Sequence, residues 1–122
     1  MSDVERRKRG LARLAELGDE PGGEEFLARM GDLGEWVVDF VFGDVHCRPG
    51  LDARERKLII VAVRTTLGSS DPQARAHVRA LHAIHVPYAE IEEATLQTAP
   101  YAGFPRVMNA LEVLREEQEA AA

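Results

Sequence analysis

The chain has 122 residues, of which 45% are hydrophobic and 30% are charged, and its formal net charge at pH 7 is −6. This length predicts one domain, residues 1–122, with a core of limited size. The acidic balance argues against nucleic acid and anionic membrane surfaces as partners. A single cysteine excludes an internal disulfide and zinc sites built on several thiolates, and we predict no metal site.

The first predicted element is a helix over residues 3–17, in which leucines recur at helical spacing. It contains the one basic cluster of the chain, residues 6–9, which we expect to lie at a frayed terminus. No apolar signal-peptide core precedes it, and no apolar run is long enough to cross a bilayer. We therefore expect a reduced, cytoplasmic protein. The sequence DEPGG at residues 19–23 predicts a linker.

Residues 24–42 predict an amphipathic helix, because apolar residues recur three or four positions apart. A turn with the sequence FGDVHCRPGLD follows at residues 42–52, and it contains His46, Cys47 and Arg48. The turn itself requires only its proline and glycine. Three reactive side chains in one turn therefore indicate a second role for this segment.

Asp52 is a predicted N-cap for the next helix, with Glu55 three positions later as in a capping box. The run LIIVAV at residues 58–63 is apolar on every face, and its β-branched residues would also suit a strand. The cap and the length of the element favour a helix that ends at Gly68. A helix that is apolar all round is buried in a bundle or at a subunit interface.

Asp71 and Pro72 open the following helix, which ends before Pro87. One stripe of this helix is predicted to contain Ala74, Val78, Leu81 and His85. A short helix follows over residues 88–97, and APYAGFP at residues 99–105 is either a turn or a broken helix start.

The last helix has an apolar stripe of Phe104, Val107, Met108, Leu111 and Leu114, and residues 116–122 are a predicted flexible tail. The predicted fold is an all-α bundle of about six helices, because helical periodicity accounts for each apolar segment.

Three stretches together resemble one family. FGDVHCRPGLDARERKLIIVA at residues 42–62, AHVRAL at residues 76–81 and VPYAEIEEATLQTAPYAGFP at residues 86–105 keep the order and spacing of motifs in the carboxymuconolactone decarboxylase family. The resemblance covers roughly residues 36–114. It implies an AhpD-like helical bundle that is usually assembled as a trimer or hexamer.

The chain also departs from the family pattern at several positions. Gln73 stands four residues before His77, where the family commonly has Glu, and Gln97 stands where many members have His. His46 replaces the usual Trp, and His85 replaces a common Gly. The Cys-x-x-Cys pair of the AhpD-like branch is missing.

The reaction implied by the resemblance is decarboxylation of 4-carboxymuconolactone or a related carboxylated lactone or cyclic ketone, in aromatic catabolism or natural-product tailoring. The conjugated lactone can accept the electrons itself, so no cofactor is needed. We predict His77 as the proton donor and Arg48 as the residue that binds the carboxylate. The alternatives are a structural histidine bonded to a backbone carbonyl, and a structural salt bridge from Arg48 to Asp44 or Asp52.

Six further residues are predicted to contact the substrate: His46, Cys47, Gln73, Gln97, Tyr101 and Arg64. Arg64 is a charge within an apolar helix, so it either forms an ion pair or lines a polar cavity. Arg75 and Arg79 are predicted to be solvated.

Two alternative functions follow from the departures. One is a non-catalytic member of the family that binds a ligand or assembles with a partner. The other is a thiol-dependent antioxidant accessory that uses Cys47. In the leading hypothesis the partners are a small carboxylated substrate and further copies of the chain.

Overall fold

A computed structural model describes residues 2–17, 23–68 and 71–122, without the side chains of residues 17 and 71–73. Within these residues all regular structure is helical, with eight α-helices and one π-helix, so the predicted all-α class is confirmed. The predicted number of about six helices is too low, because the second predicted helix is divided into three elements and residues 99–102 form a further short helix. Most of the predicted linker, residues 19–22, lies outside the described residues.

The helices follow one another with short connections. Their bounds are α1 Asp3–Leu17, α2 Gly23–Ala28, α3 Asp32–Trp36, the π-helix Val37–Val45, α4 Ala53–Leu67, α5 Asp71–Ala83, α6 Tyr88–Leu96, α7 Ala99–Ala102 and α8 Phe104–Ala121. None of the described helices is long and apolar enough to cross a membrane. The chain forms two compact units, Met1–Ala53 and Arg54–Ala122. A single domain over residues 1–122 stays a prediction.

In the first unit, α1 packs closely against the π-helix because glycines stand at the contact. A Cβ atom at Gly10 would lie 2.1 Å from the carbonyl oxygen of Val38. A Cβ atom at Gly43 would lie 2.9 Å from the carbonyl oxygen of Arg6. Any larger residue at Gly10 would therefore force the two backbones apart.

The basic cluster of α1 is ordered rather than frayed, which corrects the prediction for the N-terminus. Arg6 donates to both carboxylate oxygens of Asp44, and Arg7 donates to Asp39 at 2.5 and 2.8 Å. These bonds lower the pKa of each aspartate below its ordinary value. Beneath them, Leu14, Val38 and Phe42 form a small buried core.

The predicted helix over residues 24–42 is interrupted at Gly31, whose φ of 62° lies in the left-handed region. The break folds α3 back on α2, and a Cβ atom at Gly34 would lie 1.8 Å from the carbonyl oxygen of Leu27. Phe26, Met30 and Leu33, which belong to the predicted apolar stripe, are exposed.

The second unit has the larger core, with α5 and α6 both packed against α8. Its buried apolar residues are Val61, Val78, Leu81, Val86, Ile91, Val113 and Leu114. Helix α4 begins directly after Asp52 and ends before Gly68, whose φ is 72°, as the cap and glycine signals predict.

Helix α4 is not buried on every side. Val61 is buried, but Ile59, Val63 and Leu67, which are spaced four residues apart, have exposed fractions of 50%, 50% and 71%. We call these three residues the α4 apolar row. The prediction of a helix buried in the bundle is wrong for this row, and the alternative of a subunit interface stays a prediction.

Two details of the later helices differ from the sequence reading. Helix α5 ends at Ala83, and His85 is an exposed residue with a φ of 66° rather than a member of the helix stripe. Helix α8 continues through residues 116–121, where a flexible tail is predicted, and Glu117 is buried there. Phe104 and Met108 are exposed.

Candidate active site

A cavity of about 240 Å³ lies within the second unit. Helices α4, α5, α6 and α8 each contribute to its wall. Its apolar lining is made largely by residues of the core: Val61, Val78, Ile91, Val113 and Leu114. Charged and polar side chains line much of the rest, so a ligand would meet fixed charges beside an apolar surface.

His77 reaches this cavity from α5. It stands one turn before the fully buried Leu81, so the two residues share a helix face. The ring is partly buried, its Nδ1 atom is buried, and the side chain lines the cavity. An imidazole that borders a cavity is a candidate for proton exchange with a bound ligand.

Arg64 lines the same cavity from α4, one residue before the buried Thr65. The side chain is partly buried, and its guanidinium forms no hydrogen bond or ion pair with the residues that the structure describes. The hydroxyls of Thr65 and Thr95 donate to the carbonyls of their own helices at 2.8 and 2.9 Å. Arg64 is therefore better placed than these hydroxyls to bind a ligand in the cavity.

Two further arginines line the cavity, although no sequence signal assigns them to it. Arg75 of α5 forms ion pairs with Glu116 and Glu117 of α8. Arg106 of α8 donates to the carbonyl oxygen of Thr66. A spacing pattern reports only residues on one helix, so it gives no signal for contacts made forty residues apart.

Arg79 is also held by α8, outside the cavity lining. It donates two hydrogen bonds to Glu117, at 2.8 and 2.9 Å. The prediction of a solvated side chain therefore agrees with the half-exposed Arg79, although that residue is paired, and it is wrong for Arg75, which lines the cavity. Because Arg79 and Arg75 surround Glu117, the pKa of that carboxyl lies below its ordinary value.

The turn residues of the predicted site belong to the first unit. His46 is buried and stacks on Phe42, with the ring centroids 5.2 Å apart. The thiol of Cys47 is partly buried and donates to the carbonyl oxygen of Phe42 at 3.1 Å. Arg48 is exposed. A role for these three side chains at a pocket rim stays a prediction.

Gln97 and Tyr101, which are also predicted to contact the substrate, do not line the cavity. Gln97 is exposed and donates to Glu93 at 3.1 Å. Tyr101 has an exposed fraction of 87%. The backbone of Gln73 lies in α5, and its side chain lies outside the described residues. Across the described part of the chain, no three His, Cys, Asp or Glu side chains are placed to hold a metal ion.

Comparisons with a family model and with individual proteins point to the same family. The model of the carboxymuconolactone decarboxylase family matches residues 31–116. A 4-carboxymuconolactone decarboxylase of Acinetobacter baylyi is 32% identical over 120 residues, which are 95% of this chain and 89% of that protein. An uncharacterized 15.0 kDa protein from the nqo9–nqo10 intergenic region of Paracoccus denitrificans is 33% identical over 78 residues, which are 63% of this chain and 58% of that protein.

Proposed function

Because the chain belongs to the carboxymuconolactone decarboxylase family, we propose that it decarboxylates a small carboxylated lactone, or a related cyclic ketone, without a cofactor. The observation that carries this proposal is that His77 and Arg64 line one cavity within the second unit. The compound named for the Acinetobacter baylyi relative, 4-carboxymuconolactone, is the first candidate substrate.

Arg64 would bind the carboxylate that is lost. A guanidinium can form two parallel hydrogen bonds with a carboxylate, which fixes both its position and its plane. The bond between the ring carbon and the carboxylate carbon then breaks, and CO₂ leaves. The electron pair of that bond moves into the conjugated lactone, where negative charge grows on the carbonyl oxygen. The positive charge around the cavity favours this change.

His77 would complete the reaction by giving a proton to carbon. The imidazolium transfers its proton to the carbanion-like carbon, and the neutral imidazole then takes a proton from solvent. Each turnover consumes one proton and releases one CO₂. Because the electron pair stays in the product, the step balances without an oxidant or a reductant.

Arg48 is a second candidate for the carboxylate, through the family resemblance alone. The same holds for substrate contacts by His46, Cys47, Gln97 and Tyr101, and by Gln73. The structure supports Arg64 more directly than Arg48, because Arg64 lines the cavity that also contains His77.

The test is CO₂ release from 4-carboxymuconolactone by the wild type and by four variants. We expect His77→Gln to lower kcat by about 10²–10⁴-fold, the usual contribution of a positioned acid or base. We expect Arg64→Gln to lower kcat/KM by at least about tenfold, as the loss of a charged hydrogen bond implies. Arg48→Gln shows whether the turn residue contributes as well. Arg115→Gln is the control, since Arg115 is paired with Glu92 outside the cavity.

Wild-type rates in both His77→Gln and Arg64→Gln, with unchanged circular dichroism, would reject this assignment. Saturable binding of 4-carboxymuconolactone without CO₂ release in the wild type would favour a non-catalytic member of the family. Loss of peroxide reduction in Cys47→Ser would be needed to support the thiol alternative.

The assembled form of the protein belongs to the same proposal. The family resemblance implies an AhpD-like homo-oligomer, either a trimer or a hexamer. The α4 apolar row supports this, because large apolar side chains on one helix face are a usual component of subunit interfaces.

A further inference from the structure

We infer that Arg106 is a second anion-binding residue of the cavity, which holds an acidic group of the ligand other than the one at Arg64. The inference rests on the proposed function for the chemical class of the ligand, a small carboxylic acid. It assigns Arg106 a role in positioning and specificity rather than in bond breaking.

Arg106 is held in place at the end of α4. Its Nη1 donates to the carbonyl oxygen of Thr66. A Cβ atom at Gly68 would lie 3.7 Å from the Nε atom of Arg106, so the arginine side chain passes close to the glycine that ends α4. The carboxyl end of a helix carries partial negative charge and attracts a cation.

This anchoring leaves most of the guanidinium available. A guanidinium carries five N–H groups, and only one of its nitrogens is used by Thr66. The remaining N–H groups suit the fork of a carboxylate. Arg106 can therefore bind a ligand group in the cavity while it remains bonded to α4.

The charges around the cavity indicate what it binds. The chain has 21 acidic and 15 basic residues, so a carboxylate partner is easily found for an arginine. Arg75 is paired with Glu116. Arg64 and Arg106 form no ion pair with a carboxylate of the described residues, although both line the cavity.

Glu112 lines the cavity too and forms no ion pair with the described residues. Among the described residues, these two guanidinium groups and one carboxylate are the cavity charges without an ion pair, and together they leave a net positive charge beside an apolar surface. A ligand with two acidic groups would neutralise this charge better than a ligand with one.

The competing explanation is that Arg106 only caps the carboxyl end of α4. The two explanations differ in what they predict for ligands. A cap contributes to stability in the absence of any ligand and does not distinguish one acid from another. An anion-binding residue distinguishes a dicarboxylate from a monocarboxylate of the same length.

The test is isothermal titration calorimetry of the full chain at low ionic strength, with succinate against butyrate and glutarate against pentanoate. We expect the wild type to bind at least one dicarboxylate about tenfold more tightly than its matched monocarboxylate, because a second charged hydrogen-bonded contact forms. In Arg106→Gln this advantage should disappear while monocarboxylate binding is retained. Arg115→Gln should keep the advantage, and Arg106→Lys, which keeps the charge, should keep part of it.

An unchanged ratio of dicarboxylate to monocarboxylate affinity in Arg106→Gln would overturn the inference, even if its melting temperature falls. A wild type without any preference for dicarboxylates would do the same. Failure of the proposed function looks different: no CO₂ is released, yet the preference depends on Arg106. If CO₂ is released and Arg106→Gln leaves both KM and the preference unchanged, only the inference fails.

Discussion

His85 shows how one residue can contradict an otherwise regular pattern. The N–H of Val86 donates to the carbonyl oxygen of Leu81 at 3.0 Å. The N–H of His85 donates to the carbonyl oxygen of His82, also at 3.0 Å. This pair of bonds is a Schellman motif, and it places His85 in the left-handed conformation that glycine favours. Val86 and Leu81, both fully buried, supply the accompanying apolar contact.

Replacing His85 by glycine should therefore stabilise the protein. Relief of the left-handed strain contributes about 1–2 kcal/mol, and the greater freedom of glycine in the unfolded chain offsets about 0.5–1 kcal/mol of it. We expect His85→Gly to raise the free energy of unfolding, measured by urea titration, by about 0.5–1 kcal/mol. His82→Gly, at an exposed position within α5, is the matched control and should lower it by about 1 kcal/mol. A less stable His85→Gly variant would contradict the assigned backbone.

The sequence was informative for some site residues and silent for others. A lone charge in an apolar run predicts either an ion pair or a cavity for Arg64, and the side chain lines the cavity. Arg75 and Arg79 carry no such signal, because their partners on α8 lie about forty positions away in the chain. Helical periodicity describes one face of one helix and does not say which distant face will meet it.

At the scale of elements, α5 and α8 are joined by ion pairs above their apolar contact. Glu117 is buried and accepts hydrogen bonds from Arg79 while it lies 3.6 Å from Arg75. The lowered pKa of this carboxyl means that the folded state favours its ionised form. The contribution of Glu117 to stability is therefore present above the pKa that it has in the unfolded chain. It is lost as the pH falls through the lower pKa of the folded chain.

Glu117→Gln should remove that contribution. We expect a loss of about 1 kcal/mol in the free energy of unfolding at pH 7, since Arg79 is half exposed and water screens the pair. The difference between the wild type and the variant should shrink as the pH falls below about 4, where carboxylates become protonated. Urea titrations at several pH values measure this difference, with Glu119→Gln on the same helix as the control. A difference that does not depend on pH would exclude the electrostatic explanation.

The elements that were predicted well have local signals at both ends. Helix α4 follows Asp52 and stops at Gly68, and both ends agree with the sequence. In the segment over residues 24–42, apolar residues recur regularly on both sides of the interruption between α2 and α3. Their spacing therefore predicts one continuous helix, although Gly31 and Gly34 stand within the segment. Gly34 is needed there because the backbone of Leu27 comes too close for a side chain. Glycine inside a periodic run is the sequence signal for such a break, and apolar periodicity alone does not reveal it.

At the scale of the whole molecule, the all-helical class follows from the sequence, and the division into two units does not. Each unit has its own buried cluster, one around Phe42 and one around Leu81. Apolar spacing predicts that a residue is buried but not which cluster it joins. The predicted apolar stripe of the last helix also includes Met108, which is exposed.

The proposed oligomer can be tested on the α4 apolar row. We expect sedimentation velocity to show an assembly larger than one chain, and Val63→Lys to shift it toward the monomer. Burying an apolar side chain of this size contributes about 1.5–3 kcal/mol, and an unpaired charge in its place is costly. Gln118→Lys makes the same change of charge at an exposed position of α8 and should leave the assembly intact. Equal sedimentation of the wild type and Val63→Lys would place any interface elsewhere.

The volume of the cavity limits which compounds are worth assaying. At about 240 Å³ it falls below the range of roughly 300–1,000 Å³ that is typical of sites for drug-sized ligands. A monocyclic acid suits a space of this size better than a fused polycyclic acid does. A substrate screen should therefore begin with compounds that have one five- or six-membered ring.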